Sequence, residues 1–173
     1  MPGGPVSASS DFAVGRPVCV IREGELDLAA PPEVAWPLVL DIPAWQNYKK
    51  FEHVSGPVGG EGELLALLKD EPGSGKTPYV ARTALLQPGK RIIWKFVRDA
   101  PEPGDAALGI VDFSIAPAPE GSRFRYTAFY ECVTTDGDEH DWARQRATYH
   151  GNFSTLFDTI MPKLQQLVED ATA

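Results

Sequence analysis

Between Glu52 and Val133 the chain reads as a series of short strand-like runs, each closed by glycine or proline, and no other feature of the sequence limits its fold as strongly. The runs are His53 to Gly56, Glu63 to Lys69, Tyr79 to Leu86, Arg91 to Val97, Gly109 to Ala116 and Arg123 to Val133, rich in β-branched and aromatic residues. Gly59-Gly60, Pro72-Gly73, Pro88-Gly89 and Glu120-Gly121 stand between them as turn residues. Connections this short cannot carry a crossover, so the strands form an antiparallel meander. Val18 to Leu28 is a further strand-like run and would bring the sheet to seven strands, wide enough to curve.

The flanks of the meander are helical. After Leu28, Ala29-Ala30-Pro31-Pro32-Glu33 has the proline and acidic residue that suit a first helical turn. Glu33 to Leu40 is too apolar for a solvated helix, and Pro37 keeps it short or kinked. Asp41-Ile42-Pro43-Ala44-Trp45 restarts the chain as a second short helix ending near Tyr48. An acidic turn, TTDGDEHD, leads into a helical period from Trp142 to Asp170. At about 100° per residue, Trp142, Arg146, Tyr149, Leu156, Phe157, Ile160, Leu164 and Leu167 gather around Phe153 on one face. Pro162 removes the bond to the Asp158 carbonyl, which predicts a bend there.

With 173 residues, the chain has the length of one domain, read as residues 18–173 after a flexible arm of residues 1–17. The arm lacks the basic start and apolar stretch of a secretory signal, and no apolar run approaches the roughly 20 residues that span a bilayer. Twenty-four acidic residues against 16 basic ones give a net charge of −8, a field that repels nucleic acid and anionic membranes. Cys19 and Cys132 fall in apolar strand-like segments where free buried thiols are common, which points to a cytoplasmic protein without a disulfide.

The order strand, two short helices, meander, long C-terminal helix resembles the helix-grip fold of the SRPBCC superfamily, which includes START lipid-binding domains, polyketide cyclases and the birch pollen allergen family. ELDLAAPPEVAWPLVLDIPAWQNY is similar to the family's first strand, its Pro-Glu-x-Val-Trp helix and the break after it. Gly60-x-Gly62, Leu86-Gln87-Pro88-Gly89-Lys90-Arg91-Ile92 and Ile115-Ala116-Pro117-Ala118-Pro119-Glu120-Gly121-Ser122-Arg123 resemble its hairpins. The resemblance implies an α+β protein whose curved sheet grips the helix over a deep apolar cavity. It specifies fold far better than function, because members share a cavity and not a catalytic set.

Strand periodicity supplies candidates for the cavity wall. Phe124, Tyr126, Ala128 and Tyr130 share one strand face, opposite Arg123, Arg125, Thr127 and Glu131. By the same alternation Val111, Phe113 and Ile115 face inward, as do Ile92, Trp94 and Phe96. With Trp45 and Tyr48 of the second short helix and Phe153 and Phe157 of the long one, Trp94, Phe96, Phe113, Tyr126 and Tyr130 are the candidate ligand-binding residues. Arg146 is the charge on the apolar helix face: either a cavity cation for a carboxylate, phenolate or enolate oxygen, or a residue at the mouth paired with Glu131, Asp141 or another acid. Tyr149 and His150 lie one turn along, and a neutral imidazole can move the proton that cyclisation, dehydration or retro-aldol cleavage needs. Arg146, Tyr149 and His150 are thus the candidate catalytic set.

Other apparent motifs dissolve. Gly73-Ser74-Gly75-Lys76-Thr77 lacks the first glycine of a phosphate loop, since Asp70 stands there, and a strand follows where a helix is required. Asp136, Asp138 and His140 lack the Glu of a calcium loop, its place being held by Ala147. Asn152-Phe153-Ser154 fits a glycosylation sequon but sits mid-helix. The expectation is a monomer or homodimer without metal or cofactor, binding a hydrophobic or aromatic small molecule. It would act as a cyclase, dehydratase or lyase, as a lipid, quinone or hormone-like carrier or sensor, or as a regulatory interaction module.

Overall fold

A computed structural model describes residues 17–46, 50–68, 79–97, 106–134 and 137–173. In chain order the elements are β1 (Val18–Leu28), α1 (Pro32–Leu40), α2 (Ile42–Trp45), β2 (Lys50–Ser55), β3 (Leu64–Leu68), β4 (Tyr79–Gln87), β5 (Arg91–Val97), β6 (Ala106–Ala118), β7 (Gly121–Cys132) and α3 (Glu139–Thr172). The strands form one seven-stranded antiparallel sheet in the order β1-β7-β6-β5-β4-β3-β2. Every neighbour is consecutive in the chain except β1, which pairs with β7 from Val18↔Cys132 to Leu28↔Ser122. Gly121 makes the last hairpin possible: its φ is 141°, and a Cβ there would lie 2.2 Å from the Leu28 carbonyl oxygen.

The two faces of the sheet carry different chemistry because side chains alternate along each strand. On the outer face, Glu25 and Asp27 of β1 stand directly opposite Arg125 and Arg123 of β7. Arg125 Nε lies 2.6 Å from Glu25, Arg123 Nε donates to Asp27 at 2.8 Å, and Arg91 forks onto Asp112 at 2.9 and 2.5 Å. The Arg123 hydrogen bond holds the Asp27 carboxyl below the usual carboxylate range. These pairs face solvent, so they specify register more than they add stability.

The inner face is covered by α3, which packs mainly on β1, α2 and α1. Two ring stacks join it to β7: Tyr126 on Phe157, with centroids 4.7 Å apart, and Tyr130 on Phe153 at 4.2 Å. At the centre, fully buried Trp45 meets Phe113 at 5.7 Å and Phe124 at 6.4 Å, and its indole N–H donates to the Val39 carbonyl at 3.3 Å.

Element boundaries depart from the sequence reading where caps and pairing decide them. The long helix begins at Glu139 rather than Trp142, because the Asp138 carboxylate accepts from the amides of His140 and Asp141 at 2.8 and 3.0 Å. It continues through Pro162 without a break. β2 starts at Lys50 rather than His53 through its pairing with β3, and β6 extends to Ala106–Ala118 through its pairing with β7. Cys19 is exposed, contrary to expectation; it and Cys132 lie near each other on adjacent strands but point to opposite faces, and both thiols are free. Burial pushes the Cys132 thiol up to about 11. Residues 1–16 of the arm, Tyr48, the Gly73–Thr77 loop and Asp136 lie outside the described residues.

Candidate functional site

A cavity of about 230 Å³ lies between the inner face of the sheet and α3. Its sheet wall follows from alternation on β5 and β6, which turns Trp94, Phe96, Val111 and Phe113 inward. The Trp94 indole N–H is satisfied by the hydroxyl of buried Thr83 at 3.2 Å, leaving the ring free to serve as wall, and Phe51 meets that ring edge-on at 6.2 Å. Phe96 lies over Gly109 of β6 and between Tyr79 and Tyr130, at 5.7 and 5.8 Å. The helix contributes Phe153, Leu156, Phe157 and Ile160; Ile42 and Gln46 bound the cavity from α2 and the turn after it.

The volume exceeds the roughly 150 Å³ of an apolar cavity that holds benzene and falls short of the ~300–1,000 Å³ usual for drug-sized ligands. One ring, or two fused rings, is the matching size. Gln46, Tyr79 and Tyr130 bring hydrogen-bonding groups, and among the described lining residues there is no Asp, Glu, His, Lys or Arg.

Of the wall residues expected from the sequence, Trp94, Phe96, Phe113, Tyr130, Phe153 and Phe157 line the cavity. Trp45 stands behind Phe113 and Tyr126 behind Phe157, so both support the wall without forming it. The candidate catalytic trio does not converge on the cavity. Arg146 is exposed, its guanidinium carbon 5.8 Å from the centre of the Trp142 ring, and it is Arg144 that pairs with Asp141, at 2.6 Å. Helical period gives the direction a side chain points but not whether the sheet reaches that turn; the first buried residue of α3 is Tyr149. The Tyr149 hydroxyl donates to the Val133 carbonyl at 3.0 Å and ties the end of β7 to α3. His150 is half-buried, and its Nε2 has no hydrogen-bond partner among the described residues.

The arginine that does face inward is Arg22. Alternation from Val18 and Val20 places it on the helix side of β1, a signal present in the sequence. Its Nη2 donates to the His150 carbonyl at 2.7 Å and to the Ser154 hydroxyl, while its buried Nε has no partner. Beside it, Gly24 makes room for the Tyr126 ring, since a Cβ there would lie 2.4 Å from the phenol oxygen. Burial, with a smaller contribution from Asp158, raises the Tyr126 phenol above its ordinary value, and Arg22 opposes the rise. Arg22 therefore pins β1 to α3. Arg22→Met, which keeps the stem and removes the donors, is expected to cost about 1–3 kcal/mol in urea unfolding. An unchanged midpoint would show that the two bonds contribute nothing net.

Buried Glu63 is taken up by structure: it receives the Gly59 amide at 2.8 Å and lies 2.9 Å from His53 Nδ1. Among the described residues no cluster of three or more His, Cys, Asp or Glu could hold a metal ion, and no helix is long and apolar enough to cross a membrane.

A curved antiparallel sheet gripping a long C-terminal helix, with two short helices after the first strand, defines the helix-grip class of proteins. The chain has the SRPBCC, or Bet v1-like, form of that fold. It is similar to protein SA2116 from Staphylococcus aureus, with a TM-score of 0.68 and 11% identity, covering 90% of this chain and 97% of that one. It is also similar to Ara h 8.0201 (TM-score 0.60, 16% identity, 88% and 99% covered) and to norcoclaurine synthase from Thalictrum (0.58, 14%, 91% and 99%). At such identities the likeness is one of fold. No family model matches the chain, and no curated protein matches it.

Proposed function

We propose that the chain binds a small, largely apolar planar molecule of one or two rings in the cavity beneath α3, as a carrier or sensor. The observation that carries this reading is the wall itself: aromatic and aliphatic side chains around about 230 Å³, with side-chain hydrogen-bonding groups, among the described lining residues, at Gln46, Tyr79, Tyr130 and Trp94. Such a site selects by shape and burial, with one or two oxygens of the ligand oriented by the tyrosines or Gln46. The Thalictrum norcoclaurine synthase structure holds a transition-state analogue, which supports a small molecule as the occupant of this fold. Carriage is favoured over cyclase, dehydratase or lyase chemistry because Arg146, Tyr149 and His150 lie off the described wall. The unpaired thiols suit a cytoplasmic setting.

Native mass spectrometry of the purified full chain should find a co-purifying small molecule, and 2-naphthol should bind with quenching of tryptophan fluorescence. Ala81, 2% exposed on β4, is part of the wall, so Ala81→Phe places a ring inside the cavity. That variant is expected to bind 2-naphthol at least about tenfold more weakly while losing about 1–3 kcal/mol of stability. Equal affinity in the folded variant would overturn the assignment of the cavity as the binding site.

A further inference from the structure

The outer face of the sheet is divided. Toward the β6–β7 hairpin, its charges are paired: Glu25 and Asp27 with Arg125 and Arg123, and Asp112 with Arg91. Toward the opposite end, register sets Ile21, Phe129 and Ile110 side by side across β1, β7 and β6, and Leu108 and Val97 beside each other across β6 and β5. Ile21, Val97 and Ile110 are 56, 43 and 37% exposed. That is an apolar strip where the other half of the same face carries a ladder of charge.

Charges flank the strip asymmetrically. Glu23 and Glu131 lie on its β1–β7 side; Lys95 and Arg82, register partners of each other, lie on its β5–β4 side. None of the four has an ion-pair partner among the described residues. Acids on one side and bases on the other are self-complementary under a two-fold axis that lies between the two faces at Ile110 and runs along the strands. Such an axis lays the acidic flank of one copy over the basic flank of the other and brings the two Ile110 side chains together.

We propose that this patch joins two copies of the chain face to face, sheet on sheet. Strands about 4.8 Å apart and two or three rows of outward residues give a footprint of roughly 300–400 Å² per copy, below the ~800 Å² per partner of a stable complex. The dimer is therefore weak and reversible, forming at tens to hundreds of micromolar. The proposal is independent of what the cavity binds.

Sedimentation velocity on the full chain from about 5 to 500 µM, at low salt, should show a monomer converting to dimer. Ile110→Glu, which places two like charges at the axis, should abolish the transition. Lys95→Glu should weaken it at least about tenfold, and Lys95→Glu combined with Glu131→Lys should recover most of the loss. Exposed Cys19 borders the strip on β1, so its reaction with a thiol reagent should slow as the dimer forms. A monomer across the whole range overturns the proposal. So does self-association that survives both Ile110→Glu and Lys95→Glu, which would place the contact elsewhere.

Discussion

Gly109→Ala is expected to cost at least about tenfold in affinity for an aromatic probe, from a substitution of one methyl group. Gly109 on β6 stands opposite Phe96 on β5 and Tyr130 on β7. A Cβ at this position would lie 2.1 Å from the tip of the Phe96 ring and 2.2 Å from a neighbouring ring carbon, closer than any non-bonded contact permits. The ring must swing away, and Tyr79 and Tyr130 occupy its flanks at 5.7 and 5.8 Å. The free space left is the cavity that Phe96 lines, so the ring enters it and takes the place of a ligand. Displacing an aromatic side chain in a packed core costs about 1–3 kcal/mol, so the variant remains folded while binding fails. Titration with 2-naphthol beside urea unfolding separates the two effects. Undiminished binding would mean that Phe96 does not define the wall.

The largest loss of stability is expected from Trp45→Ala, about 3–5 kcal/mol in urea unfolding, a large part of the 5–15 kcal/mol that holds a typical domain together. Trp45 is 0% exposed and sits at the end of the four-residue α2, a helix too short to persist by its own hydrogen bonds. Its ring rests on Phe113 and Phe124, and its N–H occupies the Val39 carbonyl in the last turn of α1. Removing it leaves a cavity behind the cavity wall and frees Ile42 and Gln46, which bound the binding space. A loss below about 1 kcal/mol would mean that the α1–α2 segment closes over the gap.

Much of this was legible in the sequence, for a physical reason. Strand alternation is strict, so once Phe124 and Tyr130 face the helix, Ala128 between them must as well, and the wall residues Trp94, Phe96 and Phe113 follow by the same count. Polar groups are less legible than the apolar wall. Arg146 has the azimuth of a buried residue but lies on a turn before burial begins, a fact set by where the sheet ends and not by the helix. Arg22 is hard to read from the sequence because β1 carries charge on its outer face with Arg22, Gly24 and Leu26 on the inner, which blurs the apolar signal. Its partners, the His150 carbonyl and Ser154, lie far along the chain, and one of them is main chain that sequence does not distinguish. Likewise the acceptor of the Tyr149 hydroxyl is the carbonyl of Val133, a main-chain partner that the sequence does not mark.

The seam between β1 and β7 joins strands that lie far apart in the chain. Every other pairing in the sheet joins consecutive strands, whereas Leu28 must find Ser122 and Val18 must find Cys132. Closing a loop of roughly a hundred residues costs entropy before any contact repays it, so the meander from β2 to β7 is expected to gather first and β1 to be added late. Contacts made at that step count little in the folding transition state and fully in the native one, so weakening them speeds unfolding more than it slows folding. Arg22 belongs to that step, and with it the grip of β1 on α3. The strand expected to close the molecule last is then the one whose release first frees the helix, so in stopped-flow urea jumps Arg22→Met should raise the unfolding rate more than it lowers the folding rate, and equal changes in both would place β1 among the early contacts.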